Sequence, residues 1–323
     1  MSLVRLVAGR VALLVPLLAL VTLVMFALAA QSPFDPVLAR LGDRVFTMSG
    51  AELEALRAAH AEPTVLGEWA AWWSQTLRGD LGTSLSYRQG VGTVIAERLP
   101  WTLLLMGVGL LLAVAAGVLL GVLAAVRTGG WLDRAVSATA YVLQAAPVFW
   151  VAVLAVWVFA VVLGALPAGG VAPPGVAEPT GAEVARHLVL PAVVLALSQL
   201  PWFVLVVRDA TREQLAGDAV RGAWARGLGT PTVVLGHALR SALLPLVTVL
   251  GVRLPELVTG AVLVETVFSW PGIAAATVTA ATEVDFGLLA ALTAVTTVVV
   301  VLGNLGADVA YRLLDPRVRA RHG

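Results

Sequence analysis

Two opposite charges lie three residues apart inside a long apolar segment of the chain. Arg253 and Glu256 interrupt Ala242–Val264, which otherwise has the length of a membrane-spanning helix. A charge at the centre of a membrane costs about 2.5–3.5 kcal/mol on insertion scales, so both side chains should face a bundle interior. Residues three apart share one helix face. Arg253 can therefore bind a carboxylate that enters the membrane, or it can form a structural ion pair with Glu256 or with a second subunit.

A basic, glycine-rich segment lies between two apolar stretches. It reads RGAWARGLGTPTVVLGHALRSALLP and runs from Arg221 to Pro245. Its first half predicts a short helix that Asp218 caps and that Gly227 or Gly229 ends. Pro231 prevents that helix from continuing, because proline has no backbone N–H to donate in a helix interior. We therefore predict two short helices separated by a sharp break.

The first of these short helices has a surface that suits a protein partner. Small residues allow another surface to approach the backbone closely, and here they are Ala219, Gly222, Ala223, Ala225 and Gly227. Arg221 and Arg226 can then pair with carboxylates of that partner. An ordinary basic loop on the cytoplasmic side of a membrane has a similar composition, so both interpretations are open.

The composition excludes several classes of enzyme. All 21 basic residues are arginines, and cysteine is absent. A Walker A phosphate-binding loop requires a lysine, so an ATPase of that kind is excluded, and thiol catalysis and cysteine metal sites are excluded as well. The four histidines lie at no metal-binding spacing, and no basic, aromatic-rich patch indicates nucleic-acid binding. We predict no catalytic residue, no metal site and no cofactor in this chain.

The chain is predicted to be an all-α membrane protein with six transmembrane helices. It is 59% hydrophobic and 13% charged, whereas a soluble domain carries about 25% charged residues. Apolar stretches of about 18 or more residues indicate membrane helices, and six qualify: Val11–Ala30, Leu99–Val126, Ala135–Leu166, Leu188–Val207, Ala242–Val264 and Phe286–Ala307.

Arginines in the short loops predict the orientation. They lie in both chain ends, between the second and third spans, and in the loop 208–240, whereas Pro167–Glu183 and Thr266–Asp285 contain acidic residues and no arginine. Short basic loops face the cytoplasm. Both termini and the loop 208–240 are therefore predicted to be cytoplasmic.

The first span has features of both a signal peptide and a retained helix. It follows Arg5 and Arg10 and ends in ALAAQS, which is similar to a signal-peptidase site. Its 20 apolar residues exceed the usual signal-peptide core of about 7–15. The length favours a retained membrane helix.

The segment Gln31–Arg98 is predicted to be a small helical extracytoplasmic segment. Ser49 and Glu52 have the spacing of a capping box, and Leu53 and Leu56 continue an amphipathic helix. Three tryptophans follow at helical spacing: Trp69, Trp72 and Trp73. Tryptophan clusters are typical of the membrane interface; a role in receiving a substrate is the alternative.

The basic segment resembles the EAA loop of the permease subunits of ABC importers, specifically the dipeptide/oligopeptide permease family. Typical members have an ARAKGL core followed by HALRNALLPVVT, and this chain has AWARGL and then HALRSALLPLVT. Four further segments resemble landmarks of that family in the same order: RGDLGTSL (Arg78–Leu85), ERLPWTLLL (Glu97–Leu105), VETVFSWPG (Val264–Gly272) and LLDPRVR (Leu313–Arg319). These segments are spread along the chain from Arg78 to Arg319.

The resemblance implies a type I importer permease in the inner membrane of a bacterium. In that family the short helix docks into a groove of a separate cytoplasmic ATPase. The corresponding positions of this chain are Asp218, Ala219, Arg221, Ala223, Trp224, Ala225, Arg226, Gly227 and Leu228. The loop after the fifth span resembles an outer gate, with interfacial anchoring as the alternative, and its residues are Phe268, Trp270, Pro271 and Gly272.

The chain departs from the family pattern at several of these positions. Trp224 stands where a basic residue is usual, and Gly222 replaces a polar residue. Trp224 can fill the groove of the ATPase or rest against the membrane surface. Arg253 and Glu256 stand where the family has glutamine and small residues; they are candidates for the translocation path.

The implied partners are a homologous permease subunit, two cytoplasmic ATPase subunits that bind ATP and Mg²⁺, an extracytoplasmic solute-binding protein, and membrane lipid. The implied cargo is a di- or oligopeptide, with nickel or a glutathione-like solute as alternatives. The expected division of the chain is 1–30 for the N terminus and first helix, 31–98 for the extracytoplasmic segment, 99–311 for a five-helix core and 312–323 for a cytoplasmic tail. An intramembrane protease or lipid transferase is disfavoured, because neither G-x-S-x-G nor H-E-x-x-H occurs; a membrane scaffold without transport is a third class.

Overall fold

The computed structural model describes residues 3–31, 49, 52, 64–176 and 178–314, and no strand occurs among them beyond an isolated bridge between Thr83 and Gly90. The prediction of an all-α fold is confirmed for these residues. In chain order the helices are α1 (Leu3–Ala30), α2 (Val65–Thr76), α3 (Val91–Val126), α4 (Trp131–Ala145), α5 (Val148–Ala155), α6 (Gly181–Leu215), α7 (Asp218–Ala225), α8 (Thr230–Val233), α9 (Leu239–Val267), α10 (Ile273–Thr282) and α11 (Phe286–Leu314). Two π-helical turns extend this set, Val156–Val162 after α5 and Val234–Ala238 between α8 and α9.

Five helical runs of the described residues are long and apolar enough to cross a membrane. They are Val7–Ala30 within α1, then α3, α6, the run Thr230–Val267 and α11. The chain is therefore a multi-pass membrane protein. The pair formed by α4 and α5 with its π turn gives a sixth candidate, but the pair is bent by 104°.

The bend explains why the third predicted span, Ala135–Leu166, is not one straight helix. Ala146 has an extended backbone with φ −79° and ψ 127°, and Pro147 follows it as the N-cap of α5. A residue before proline is driven out of the helical region by the proline ring. The apolar pattern continues through this point, but the backbone hydrogen bonds do not.

The chain forms two compact units, and α6 is the centre of the first one, which consists chiefly of residues 101–271. Thr180 and Glu183 form a capping box at the start of α6. Gly117 and Gly121 of α3 allow close approach of α6, because a Cβ on Gly121 would lie 2.8 Å from the Val204 carbonyl oxygen. Small residues four apart serve this purpose in membrane helices.

The second unit consists chiefly of residues 4–100 and 272–299 and contains α1, α2 and α10. Its apolar core joins the start of α3 to α10 and the start of α11, through residues that include Val91, Ile273 and Leu288. Asp285 is buried there; its Oδ2 accepts hydrogen bonds from Ser84 Oγ at 2.6 Å and from the Leu85 amide at 2.7 Å.

The tryptophans of α2 contact the first helix. The indole nitrogens of Trp69 and Trp73 both donate to Thr22 Oγ1, at 3.0 and 3.1 Å, and Trp72 packs against Phe26 with ring centroids 6.0 Å apart. Thr22 lies eight residues before the end of α1, about 12 Å along the helix axis. The helix α2 therefore packs along the side of α1.

The predicted capping box of the segment 31–98 is formed. The Ser49 amide donates to Glu52 Oε2 at 2.8 Å, and the Glu52 amide donates to Ser49 Oγ at 3.3 Å. The hydrogen bond from the Ser49 amide lowers the pKa of the Glu52 carboxyl. Leu53 and Leu56 lie outside the described residues.

Candidate functional site

The predicted short helix of the basic segment is α7, but its start is not the one predicted. Asp218 does not cap the helix: Gly217 is the N-cap, with φ −77° and ψ 159°, and no side chain caps it. The preceding helix α6 has its C-cap at Ala216, so the N-cap position falls on Gly217. Asp218 becomes the first helical residue, where its carboxylate still lies at the positive end of the helix dipole.

The end of α7 agrees with the sequence prediction. Gly227 has φ +79°, a left-handed conformation that favours glycine. The Leu228 amide donates to the Ala223 carbonyl at 3.3 Å, and the Gly227 amide donates to the Trp224 carbonyl at 2.8 Å. These two bonds form a Schellman motif, which satisfies carbonyls that a helix end leaves open.

One face of α7 is packed within the chain. Val220 and Ala223 are buried in an apolar cluster with Val233 of α8 and Ala238, and Leu228 packs against that cluster. The methyl group of Ala223 is fully buried. Of the small residues expected to contact a partner, Ala223 therefore stabilises the chain's own fold.

The opposite face of α7 is open. Its exposed residues are Asp218, Ala219, Arg221, Trp224, Ala225 and Arg226. Trp224 is 44% exposed, which is high for a large aromatic side chain. A Cβ on Gly222 would meet no atom within 4 Å. The outward face therefore combines small residues, a large aromatic ring and two arginines.

The two arginines of this face differ in their contacts. Arg221 Nη2 donates to the Ala216 carbonyl at 2.9 Å and lies 3.6 Å from the Asp218 carboxylate. Arg226 is exposed, and no residue in the described ranges accepts a hydrogen bond from its guanidinium. Arg221 thus braces the junction of α6 and α7, while Arg226 is available to a carboxylate from outside.

The second predicted helix begins directly after α7. Gly229 is the N-cap of α8, and Pro231 lies in its first turn, a position that tolerates the missing N–H. The helix then continues through the π-helical turn Val234–Ala238 into α9. The predicted break is therefore present, and the packing of Val233 on α7 connects α7 directly to a membrane helix.

Arg253 is held from three directions. Its Nε donates to Gln199 Oε1 at 3.3 Å, its Cζ lies 4.4 Å from the centroid of the Trp202 ring, and its Nη1 pairs with the Glu256 carboxylate. Gln199 and Trp202 belong to α6. The predicted pairing of Arg253 with Glu256 is confirmed, and a neighbouring helix stabilises it.

The two members of this pair differ in accessibility. The Arg253 side chain is 12% exposed and that of Glu256 is 54% exposed. Glu256 lies 11 residues before the end of α9, about 16 Å along the axis and thus near the centre of a membrane core of about 30 Å. The accessible charge at this depth is therefore the carboxylate.

The aromatic residues of the expected outer gate loop are buried. Phe268 and Trp270 have no exposed surface, and Trp270 Nε1 donates to the Trp101 carbonyl at 3.0 Å. The ring of Trp270 packs edge-to-face on Trp101 with centroids 5.7 Å apart. The chain itself therefore encloses both rings; an outer gate and interfacial anchoring of the loop both stay predictions. Pro271 is half-buried and Gly272 is the buried N-cap of the short apolar helix α10.

A second loop secures this segment. The Gly170 amide donates to the Phe268 carbonyl at 2.8 Å, and a Cβ on Gly169 would collide with that carbonyl oxygen. His187 Nδ1 lies 2.9 Å from the Gly169 carbonyl. Because the segment AGGVAPPG contains no reactive group, sequence reasoning assigned it no role.

A charged pair that sequence reasoning missed connects α4 to α6. Arg208 Nε lies 2.5 Å from Asp133 Oδ1, Arg208 Nη2 lies 3.1 Å from Oδ2, and the Gly129 amide donates to Oδ2 at 2.8 Å. Arg208 lies ten residues before α7. In the sequence, Arg208 served only to predict the orientation in the membrane. Asp133, at the start of an apolar segment, could have indicated a buried ion pair.

The remaining features offer no chemistry. A cavity of about 190 Å³ lies between α3, α4 and α6 and is lined by apolar side chains such as Leu120, Val136 and Leu200. Among the described residues, no three histidine, aspartate or glutamate side chains are close enough to hold a metal ion. The polar groups of interest are therefore the outward face of α7 and the charged pair of α9.

Comparison with known proteins finds one matching family and near-full-length similarity to several proteins. Residues 117–320 match the family described as the inner membrane component of binding-protein-dependent transport systems. The chain is 34% identical over 300 residues to a putative peptide permease protein of Brucella suis biovar 1, covering 92% of this chain and 93% of that protein. It is 33% identical over 313 residues to an oligopeptide transport system permease protein of Bacillus subtilis, covering 96% and 97%. It is 33% identical over 330 aligned positions to a di/tripeptide transport system permease protein of Pseudomonas aeruginosa, covering 97% and 98%.

Proposed function

Because the chain belongs to the family of inner membrane components of binding-protein-dependent transport systems, we propose that it is a permease subunit of an ATP-driven importer of di- or oligopeptides. The observation that carries the proposal is the full-length similarity to proteins named as peptide permeases. The chain itself supplies no ATP-hydrolysing site, since it has no lysine for a Walker A loop.

The proposed contact with the ATPase is the outward face of α7. That helix is packed on one side through Val220 and Ala223 and open on the other. Trp224 fills a groove of the ATPase in this proposal, because exposed aromatic side chains that enter pockets dominate binding energy. Arg226 pairs with a carboxylate at the rim of that groove.

Two contacts can transmit a movement of α7 to membrane helices. The Asp133–Arg208 pair fixes the end of α6 that leads into α7. The packing of Val233 and Ala238 on α7 fixes the start of the run that becomes α9. ATP and Mg²⁺ are bound by two ATPase subunits in this proposal, and closure of those subunits displaces both helices.

The remaining assignments are part of the same proposal. Both termini and α7 face the cytoplasm, the segment 31–98 lies outside, the residues 99–311 form the permease core, and 312–323 form a cytoplasmic tail. A homologous permease subunit completes the translocation path, and a solute-binding protein delivers the peptide from outside. The buried loop at Phe268–Gly272 closes the outer end of the path.

The test uses the complete transporter in proteoliposomes, with both permeases, the ATPases and the binding protein. Wild-type protein is expected to take up a peptide such as trialanine and to hydrolyse ATP faster when the loaded binding protein is added. Gly222→Leu is expected to reduce the stimulated ATPase rate strongly, because the new side chain has open space within the chain and blocks only a partner.

The matched control is Gly107→Leu, which also has open space but lies on α3, away from α7. It should leave the stimulated rate within about twofold of wild type, as exposed substitutions usually have small effects. Equal rates for wild type and Gly222→Leu would contradict the coupling role of α7. Absence of any peptide uptake or stimulation in the wild-type assembly would contradict the transport function itself.

A further inference from the structure

The exposed face of α9 is a continuous line along the helix. The exposed residues recur every three or four positions, which is the repeat of one α-helical face. They are Ser241, Pro245, Thr248, Val252, Pro255, Glu256, Thr259, Leu263 and Thr266. We call this set the α9 stripe. Its polar members are a serine, three threonines and one glutamate.

The α9 stripe differs in chemistry from a face that suits lipid. From Leu103 to Val126, the exposed residues of α3 are leucine, valine, alanine and glycine only. Polar and ionisable residues within a membrane face the bundle interior or a water-filled cavity. The α9 stripe is therefore a wall of the path through which the solute passes.

Glu256 is the charged residue of the α9 stripe that a ligand can contact. Arg253 is occupied by Gln199, Trp202 and Glu256, and little of its side chain is exposed. A ligand carboxylate would compete with those partners for the guanidinium. The Glu256 carboxylate has more than half of its surface free, so it accepts a hydrogen bond from a ligand without any rearrangement.

The threonine hydroxyl groups of the α9 stripe present hydrogen-bond acceptors, as Glu256 does. Thr259 Oγ1 donates to the Pro255 carbonyl at 3.2 Å, and Thr266 Oγ1 donates to the Val262 carbonyl at 2.7 Å. Once a hydroxyl has donated its proton inward, only its lone pairs face outward. The α9 stripe thus presents acceptors, which suit a ligand rich in N–H donors.

Resting on the proposed transport function, we propose that Glu256 receives the α-ammonium group of the peptide in transit, with Arg253 as a positioning residue that holds the carboxylate. Arg253 therefore does not bind the peptide carboxylate, which was one of the roles that the sequence left open for it. The neutral Arg253–Glu256 pair attracts an ammonium group less strongly than a lone carboxylate would. A transport site needs this balance, because the solute must also leave.

The test compares wild type with Glu256→Gln in the complete transporter, with trialanine as the probe. The substitution removes the charge and keeps the shape. At saturating loaded binding protein, the maximal uptake rate is expected to fall about tenfold, as for loss of one hydrogen bond to a charged group. The concentration of binding protein that gives half-maximal uptake, and the stimulated ATPase rate, should change less than about twofold.

A pH profile separates this role from a structural one. The ammonium of a peptide loses its proton with a pKa of roughly 7.7–8.0. The ratio of wild-type to Glu256→Gln uptake should therefore fall toward one as the external pH rises from about 7 to about 9. The ratio removes the pH dependence of the binding protein, which both assemblies share.

The surroundings of Glu256 add few titratable groups to this profile. Arg253 lies on the same helix and keeps its charge throughout that pH range. The facing part of α6 contributes the neutral Gln199 and Trp202, and α5 carries no charged residue. On α11, which approaches α9 at Gly251 and Leu254, the charged residues are Asp308 and Arg312.

Matched variants keep the result interpretable. Glu283→Gln makes the same substitution at an exposed glutamate outside α9 and should leave uptake unchanged. If Glu256→Gln fails to assemble, Glu256→Asp retains the charge and should retain the pH-dependent uptake. A Glu256→Gln transporter with uptake within twofold of wild type, or with a ratio that stays constant with pH, overturns the assignment. A tenfold loss of uptake in Arg253→Gln, with no loss in Glu256→Gln, also overturns the assignment and indicates a site for a carboxylate.

Discussion

Two tryptophans in the segments with expected functions have opposite environments. Trp224 of α7 is 44% exposed on a short helix, whereas Trp270, in the loop after α9, has no exposed surface. The indole N–H of Trp270 donates to the Trp101 carbonyl at 3.0 Å, and its ring packs edge-to-face on Trp101. Both residues stand in motifs that resemble family landmarks, so sequence alone gave them similar weight.

The difference in burial indicates that Trp270 stabilises the chain and that Trp224 is available to bind another molecule. A buried tryptophan with a satisfied N–H stabilises its own chain, since both its apolar area and its polar atom have partners. Contacts among the described residues explain neither the exposed Trp224 nor Arg226, whose guanidinium has no hydrogen-bond partner in those ranges. We infer that the loop at Trp270 is a rigid element, and that the face at Trp224 is reserved for another molecule.

The largest expected effect is that of Trp270→Ala on stability. Removing a buried aromatic side chain typically costs about 3–5 kcal/mol, and the change also leaves the Trp101 carbonyl without its indole donor. Thermal unfolding of the purified chain in detergent should shift downward by several degrees or more. Trp270→Phe keeps most of the ring, so its loss should be smaller. An unchanged unfolding temperature for Trp270→Ala would contradict the rigid-loop interpretation.

Gly169→Ala tests the second loop that secures Trp270. The new methyl group would collide with the Phe268 carbonyl oxygen, so the backbone must shift at a cost of about 1–3 kcal/mol. Gly181→Ala is the matched control, since a Cβ there meets no atom within 4 Å. Thermal unfolding should distinguish the two variants. Equal unfolding temperatures for the two variants would mean that the backbone at Gly169 shifts without loss of stability.

Trp224→Ala should affect binding and leave stability nearly unchanged. If Trp224 fills a groove of the ATPase, truncation should weaken the complex by about 2 kcal/mol, or about thirtyfold in Kd. The unfolding free energy should change by less than about 0.5 kcal/mol, as expected for a surface position. Equilibrium binding of the purified ATPase, with and without the substitution, measures the effect. A Kd within twofold of wild type would assign Trp224 to the membrane surface instead.

The smallest expected effect is that of Asp218→Ala. An N-cap aspartate would be worth about 0.5–2 kcal/mol, but Asp218 is the first helical residue and its side chain is 96% exposed. The substitution removes a weak, exposed interaction with Arg221 and one with the helix dipole, together worth less than about 1 kcal/mol. Chemical unfolding monitored by tryptophan fluorescence should show little change. A loss above 1 kcal/mol would mean that Asp218 acts as a cap after all.

The sequence predicted α7 well at one end and poorly at the other, for a physical reason. Gly227 ends the helix because only glycine adopts φ +79° without strain, and this requirement is local. The start depends on where α6 ends. Because Ala216 is the C-cap of α6, the N-cap falls on Gly217 although Asp218 is the better capping residue.

The sequence also predicted the Arg253–Glu256 pair only in part. The spacing of Arg253 and Glu256 is sufficient to predict an ion pair on one helical face, and that pair is formed. Which of the two charges is accessible depends on Gln199 and Trp202, more than fifty residues away in the chain. The spacing left both roles of Arg253 open, a contact with a solute or an ion pair, whereas the fold encloses the guanidinium and leaves the Glu256 carboxylate exposed.

The sequence by itself determined the class of this protein: long apolar stretches require membrane helices, a chain without lysine has no Walker A loop, and the ordered motifs identify the family. Those properties depend on composition and on local spacing. The tertiary structure alone decided which side chains are exposed, since burial depends on residues that are distant in the chain. Trp270, Ala223 and Arg253 are enclosed by other helices and loops, while Trp224 and Glu256 are left open on surfaces where another molecule can bind.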